Sequence, residues 1–337
     1  MTKAEADRRM YECMRLQRKS RWTIKAYMEW LAKYAVFLSG NDAETHEEKL
    51  GQFLTRIVTQ DNVSAATQKQ ALCAIIYFYK RVLKMELGDV SFLRSRRPQR
   101  LPEVFSRQEA WRVLDRLNGA GWLWGAFMYG CGLRLEETCR LRVKDVDLDR
   151  RMVMVREGKG DKDRVVPLPE LLVAPMERHL RWLGDVQRDY AEKNIPVSLP
   201  GRLDRKFPNA PYSWEWFWLF PAAGPVRERI GKKVAEPEWL GKLYHVHKTA
   251  VQKRVRRAIL AARINKKASC HTFRHSFATH WLENAEGSHE VALRRLQELL
   301  GHNDVKTTMI YLHLLPRKTD VVSPLDSRPQ MMVLKSA

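Results

Sequence analysis

A chain of 337 residues, 45% of them hydrophobic, is long enough for one large domain or two ordinary ones with a core each, and 60 Lys+Arg against 39 Asp+Glu leave a formal charge of +21. That excess goes far beyond what solubility needs and points to a polyanionic partner, nucleic acid first. No apolar run nears the roughly 20 residues of a spanning helix and MTKAEADRRM has no secretory h-region, while the five scattered cysteines (Cys13, Cys73, Cys131, Cys139, Cys270) contain no C-x-x-C pair, so a membrane span, a secreted disulfide framework and a structural zinc site are excluded and the cytoplasm is expected.

Residues 1–93 carry helical periodicity almost throughout and predict an all-helical domain. Trp22, Ala26, Tyr27, Trp30, Tyr34 and Phe37 share one stripe; Leu72, Ile75, Ile76, Tyr79 and Leu83 share another, with Ser64 as its N-cap. Residues 94–104 form a basic connector in which two prolines stop regular structure, and Arg94, Arg96, Arg97 and Arg100 suit a phosphate backbone as well as they suit water. A helix begins at Ser106, and Leu123 to Arg142 reads as a second one interrupted at Gly130-Cys-Gly132. Met152-Val-Met-Val155 and Val165-Val-Pro-Leu168 are short β-type runs around the hairpin signal Gly158-Lys-Gly-Asp-Lys-Asp163. Helix returns over 171–193. Residues 194–240 differ in kind, with seven prolines and the aromatic run Tyr212-Ser-Trp-Glu-Trp-Phe-Trp218, of which Trp218 and Phe220 are expected in the core. From Lys248 to near Leu315 the pattern is helical again, and it includes the basic run of Lys253, Arg254, Arg256 and Arg257, while the tail beyond Asp320 has little periodicity.

The densest chemistry lies in His271-Thr-Phe-Arg-His-Ser-Phe-Ala-Thr-His280. His271 and His275 have the i, i+4 spacing of a helical metal pair, but no glutamate stands between them and an arginine does, which argues against a metal. His271 and Arg274, at i and i+3, share a face and pair a proton acceptor with a fork of donors for phosphate oxygens. Phosphate chemistry then needs a nucleophile and further positive charge. Cys131-Gly-Leu-Arg-Leu-Glu-Glu137 lies upstream; Leu300-Gly-His-Asn-Asp304 and Thr307-Thr-Met-Ile-Tyr-Leu-His313 lie downstream. Taken singly, each residue also has a bland reading as a surface arginine, a turn lysine or a core aromatic.

In order along the chain, these motifs resemble those of the tyrosine site-specific recombinases. The resemblance implies a mainly α fold with a small β-sheet or hairpin, arranged as a two-domain, C-shaped DNA clamp: an N-terminal helical core-binding, SAM-like domain over 1–93, the linker 94–104, a catalytic domain over 105–319, and a tail over 320–337 that packs on a neighbour. Carried over motif by motif, it makes Arg134, Lys159, His271, Arg274 and His302 catalytic and Tyr311 the nucleophile. Glu137 is expected to be structural, and His275 and His313 to stand behind the site or at the surface. The chemistry is consistent on physical grounds. A phenol of pKa about 10 must lose its proton as it attacks phosphorus. Arg134 and Arg274 can meet the growing charge on the non-bridging oxygens with His302 as a further donor, His271 can assist proton removal, and Lys159 can protonate the leaving 5′ oxygen. The bond energy is kept in a 3′-phosphotyrosine, so no cofactor and no metal is expected.

Within that family the chain is most similar to integron integrases, which carry an extra segment between the lysine hairpin and the H-x-x-R motif; Lys206-Phe-Pro-Asn-Ala-Pro-Tyr212 and Trp216-Phe-Trp-Leu-Phe220 look like it, as Val322-Ser-Pro-Leu-Asp326 looks like their C-terminus. The longer Asn284-Ala-Glu-Gly-Ser-His-Glu290 and Ser198, in place of a large side chain, depart from that pattern. The likeness implies integration and excision of gene cassettes at folded single-strand attC and duplex attI sites, by a homo-tetramer on nucleoid DNA. Pro211, Trp214 and His245 are then expected at a slot for an unstacked base. The competing readings are a type IB topoisomerase, which shares the phosphotyrosine but acts on one duplex, and a basic architectural DNA-binding protein without catalysis.

Overall fold

The computed structural model describes residues 2–96, 101–156, 163–201, 203–226, 240–286 and 288–312. The expectations for Arg97, Arg100, Lys159, His313 and the tail 320–337 lie outside the described residues, as does 227–239 of the inserted segment. The chain divides into two units, Met1–Arg100 and Leu101–Ala337.

In the first unit, α1 (Lys3–Leu16), α2 (Arg21–Leu38), α3 (His46–Thr59) and α4 (Ala65–Tyr77) each start behind a hydroxyl. Thr2, Ser20, Thr45 and Ser64 accept from the N–H groups of Glu5, Thr23, Glu48 and Thr67, which gives partners to donors that a helix start leaves open. Met10, Met14, Trp30, Tyr34, Phe53, Leu54 and Ile75 form the core between these helices. The α2 stripe is buried at Trp30 and Tyr34, but Trp22 is 52% exposed and lines an open groove with Tyr27, Lys69 and Cys73. Helix does not continue to residue 93: α4 passes into π-type turns over Phe78–Leu83 that stop at Lys84, in the left-handed conformation. Residues 85–96 then run without regular structure, tied down where Gln68 donates to the Leu93 carbonyl and accepts from the Ser95 N–H.

The second unit is mainly helical with one small sheet, as expected. A capping box between Ser106 and Glu109 starts α5 (Arg107–Leu114). The Gly-Cys-Gly interruption separates α6 (Ala120–Gly130) from α7 (Leu135–Arg140). The predicted hairpin strands pair antiparallel as β2 (Met152–Val155) and β3 (Arg164–Pro167), and a two-residue strand, β1 (Val146–Asp147), joins the other edge of β2. Then follow α8 (Val173–Glu192), the single turn α9 (Leu203–Lys206), α10 (Lys248–Ala261), α11 (Cys270–Glu283), α12 (His289–Leu300) and the short α13 (Lys306–Met309).

Helix α11 passes through two cores. Its N-terminal half puts Phe273 into the main core beside Phe105, Phe127 and Phe220. Its C-terminal half puts Ala278 and Leu282 into a smaller cluster with Leu293, Leu296, Leu300 and Tyr311. The inserted segment is knitted to the stretch after α7: the Leu219 N–H donates to the Leu141 carbonyl, Arg142 bridges to Trp218, and the Trp218 indole donates to the Leu243 carbonyl at 3.1 Å. Trp218 and Phe220 are buried, as their place in the aromatic run suggests.

Candidate active site

The last carbonyls of an α-helix have no partner within it and carry the negative end of its dipole. At the C-terminus of α12 three guanidinium groups supply partners. Arg164 donates to the Leu299 carbonyl at 2.8 Å, Arg274 to Leu300 at 2.6 Å and Arg134 to Gly301 at 3.2 Å. Gly301 ends the helix at φ +60°, a left-handed conformation that glycine adopts freely, and a Cβ there would stand 3.1 Å from Arg164 Cδ.

One carboxylate offsets these three cations. Glu137 receives the Arg134 backbone N–H at 2.8 Å and its guanidinium at 2.6 Å, and takes two hydrogen bonds from Arg164 at 3.0 and 2.7 Å. Burial by itself would raise the Glu137 pKa, but Arg164, the Arg134 N–H and Arg274 bring it down to about 2. Arg274, only 3% exposed, has its own pKa lowered to about 9 by burial and by the neighbouring Arg134. Three fixed cations against one anion leave the cluster with uncompensated positive charge, an arrangement suited to a phosphodiester.

Tyr311 lies against this cluster. Its ring is 2% exposed and packs in the smaller core, stacked at 13° on the His302 imidazole. His302 Nε2 faces an Arg274 N–H at 3.2 Å, so in the neutral ring Nε2 accepts and Nδ1 donates to the Thr308 hydroxyl, 2.8 Å away. The Tyr311 hydroxyl meets Nδ1 of His275 at 2.9 Å. Burial raises the phenol pKa, and Arg274 and Arg134 oppose that shift without cancelling it.

Arg134, Arg274, His302 and Tyr311 therefore converge, and His271 stands on the same helix one turn away. The imidazole touching the phenol is that of His275, placed by sequence reasoning behind the site or at the surface, and not that of His271, which is exposed with its ring 6.5 Å from the His275 ring. The reason is local: Tyr311 packs beside Ala278 and Leu282, further along α11, which carries its hydroxyl past His271. Burial, then the charges of His271 and Arg274, lower the His275 pKa to about 4 and keep its ring neutral. Arg164 was also missed. Its only signal is a charged side chain opening a strand directly after the lysine hairpin, since its partners lie 27 and 135 residues away.

Of the residues expected on a nucleic-acid surface, Arg94 and Arg96 are exposed in the first unit. In the second, Lys253, Arg254, Arg256 and Arg257 all lie on the outward face of α10, because Val251, Val255, Ala258 and Ile259 take the core face. Trp214 and His245 are partly buried, His245 edge-on to Trp218 with ring centroids 5.1 Å apart. Pro211, expected to offer a face to a base, is instead buried with its carbonyl bound to the Val197 N–H, and Tyr212 is the neighbouring ring that reaches the surface. Ser198 is buried too, its carbonyl accepting from Arg142 at 2.8 Å. Among the described residues no helix is long and apolar enough to cross a membrane.

The sequence profile of the Phage integrase family matches residues 123–318, and that of the phage integrase N-terminal SAM-like domain matches 8–89. An integrase/recombinase of Escherichia coli is 37% identical over 325 residues, which cover 92% of this chain and 89% of the relative. The tyrosine recombinase XerA of Thermococcus kodakarensis is 31% identical over 301 residues, 88% of this chain and 86% of the relative. Among solved structures, the Tn1549 transposon integrase in complex with transposon right end DNA superposes with a TM-score of 0.60 at 14% identity, covering 91% of this chain and 94% of that one. The XerH site-specific recombinase bound to difH substrate, a pre-cleavage complex, gives 0.56 at 20% identity, with 89% and 78% covered. At those identities the structural likeness is one of fold.

Proposed function

This chain belongs to the phage integrase family and is a tyrosine recombinase, and on that footing we propose that Tyr311 is the residue that breaks and rejoins DNA. The observation that carries the reading is the Tyr311 hydroxyl, a nucleophile on the His275 imidazole and beside two guanidinium groups, Arg134 and Arg274, that among the described residues share the Glu137 carboxylate. Tyr311 attacks phosphorus; Arg134 and Arg274 hold the non-bridging oxygens as their charge grows, and His302 joins them as a donor once its Nε2 is protonated and turns from Arg274 to the phosphate. The hydroxyl first parts from His275, and His271, at the exposed mouth, assists removal of its proton. Lys159 gives a proton to the leaving 5′ oxygen. The 3′-phosphotyrosine that results is resolved by a 5′-hydroxyl from a second strand, which returns the tyrosine.

The proposed substrates are integron cassette sites, duplex and folded single-strand hairpin alike, bound by four protomers with residues 320–337 of each packing on a neighbour. Support comes from the exposed basic face of α10, from Arg94 and Arg96, and from an inserted segment that exposes Tyr212, half-buries Trp214 and sets Trp218 edge-on to His245. That the Tn1549 integrase and XerH structures hold DNA agrees with a DNA substrate.

The test is covalent capture on nicked duplexes, in which the strand released by cleavage diffuses away. Wild-type protein should accumulate a protein–DNA adduct; Tyr311→Phe should bind within about twofold of wild type and form none, since it loses one hydroxyl and leaves the basic surface intact. An adduct on the Phe variant would remove Tyr311 as nucleophile, and no adduct from wild type on any site would refute the reading.

A further inference from the structure

The geometry points to Arg164 as a further positioning residue of the active site, one that keeps the Glu137 carboxylate from neutralising Arg274. The inference rests on the reading above, that Arg134 and Arg274 meet the phosphate.

Arg164 opens β3 and follows Lys159 by five positions in the sequence. Its side chain is 9% exposed, and all three of its nitrogens are used: Nε on the Leu299 carbonyl, the two terminal nitrogens on the two oxygens of Glu137. It thereby ties β3, the Glu137 helix and the end of α12 in one bracket. The chain also makes room for it, because Gly301 lies so close to its guanidinium that a Cβ would come within 3.2 Å of a terminal nitrogen.

A carboxylate has about four acceptor positions. In Glu137 two serve Arg134 and two serve Arg164. Arg274 is left at 3.7 Å from the nearer carboxylate oxygen, while its donors go to the Gly132 and Leu300 carbonyls, both at 2.6 Å. Those carbonyls orient the guanidinium without cancelling its charge. With Arg164 gone, two acceptor positions of a buried carboxylate would open beside Arg274. The short move that closes that gap would tighten the 3.7 Å ion pair into a direct hydrogen bond and draw off more of the charge that the transition state needs. Lysine in place of Arg164 keeps the charge but cannot make the two-pronged contact and reach Leu299 as well.

The experiment uses the full-length chain and nicked duplexes of randomised sequence, from which covalent capture on wild-type protein recovers a cleavable site. That site is made with an ordinary phosphodiester and again with an uncharged methylphosphonate at the scissile position. Arg164→Gln and Arg164→Lys are compared with wild type in single-turnover adduct formation on both. A neutral phosphorus asks less of the paired guanidinium groups. We expect the phosphodiester rate to fall about 100-fold, the scale of losing one preorganised donor, the methylphosphonate rate to fall less than about tenfold, and equilibrium binding to hold within about twofold. Each ratio is internal to one preparation, so partial unfolding of a variant does not imitate it. Equal losses on the two substrates, or none on the phosphodiester, would overturn the role of Arg164. In the Glu137→Gln background, where there is no carboxylate charge to restrain, Arg164→Gln should cost little more; full additivity would overturn it too. If wild type yields no adduct from the randomised pool, the assignment of the site falls and Arg164 with it, an outcome separate from equal losses.

Discussion

The contact between His275 and Tyr311 sets two pKa values against their usual ranges: burial lowers the imidazole to about 4 and raises the phenol. Among the described residues Arg274 and Arg134 oppose the burial of the phenol without outweighing it, so in the proposed reaction further activation would come as DNA binds. The imidazole leaves a signature in stability. A histidine whose folded pKa lies below its unfolded value of about 6.5 binds fewer protons in the fold, so its contribution is intact above about pH 6.5 and is lost as pH falls toward 4. For His275 the loss is on the order of 3 kcal/mol. Glu137, lowered to about 2 from an ordinary 4.5, contributes above pH 4.5 and loses that contribution as pH falls toward 2, so the two windows scarcely overlap. Urea unfolding of wild type at pH 7.5 and pH 5 should therefore differ more than unfolding of His275→Asn at the same two values. Equal differences would place the titration elsewhere, with His271 and His280, both also lowered, the first places to look.

At the scale of the elements, the end of α12 is the most demanding join in the second unit, since its last carbonyls are shared among three arginines from three other elements. Gly301→Ala should cost about 1–3 kcal/mol, from a left-handed backbone and a methyl pressed against Arg164. It should also slow adduct formation more than it weakens binding, and a variant that loses only stability would separate the join from the chemistry. The inserted segment gives another prediction. His245→Ala and Trp214→Ala should weaken binding to a hairpin bearing extrahelical bases more than to a fully paired duplex, by up to about 3 kcal/mol per base lost from stacking; equal losses at one salt concentration would make the segment scaffold. Legibility followed the range of the forces involved. Hydroxyl N-caps, the Gly-Cys-Gly break and the two hairpin strands are local signals and could be read directly. The end of the helix at Leu83 could not, because Val90 and Phe92 pack on the first core from non-helical backbone and so imitate its pattern. Strand β1 is too short to show a period. The convergence of Arg134, Arg274, His302 and Tyr311 could be anticipated from ordered motifs, whereas the His275 contact, the Arg164 bracket and the burial of Pro211 depend on partners distant in sequence.

For the whole molecule, charge is the property that composition states most openly. A chain at +21 with a basic outward face on α10 should bind DNA with log affinity falling linearly against log salt, at about −0.9 per phosphate neutralised on duplex and about −0.7 on single strands. Titration of one labelled duplex over a range of salt concentrations would measure that slope, and a nearly flat line would remove the electrostatic account of binding. The division of α11 between two cores bears on a different property, the way the second unit breathes. Phe273 anchors the first half of the helix among the many residues of the main core, while Ala278 and Leu282 belong to a cluster that, among the described residues, has seven buried members, one of them Tyr311. A small cluster opens at lower free energy than a large one. Amide protons of α12 and of the second half of α11 should accordingly exchange with solvent deuterium sooner than those near Phe273, and the hydroxyl of Tyr311 gains its freedom in the same local fluctuation, with the rest of the unit still folded.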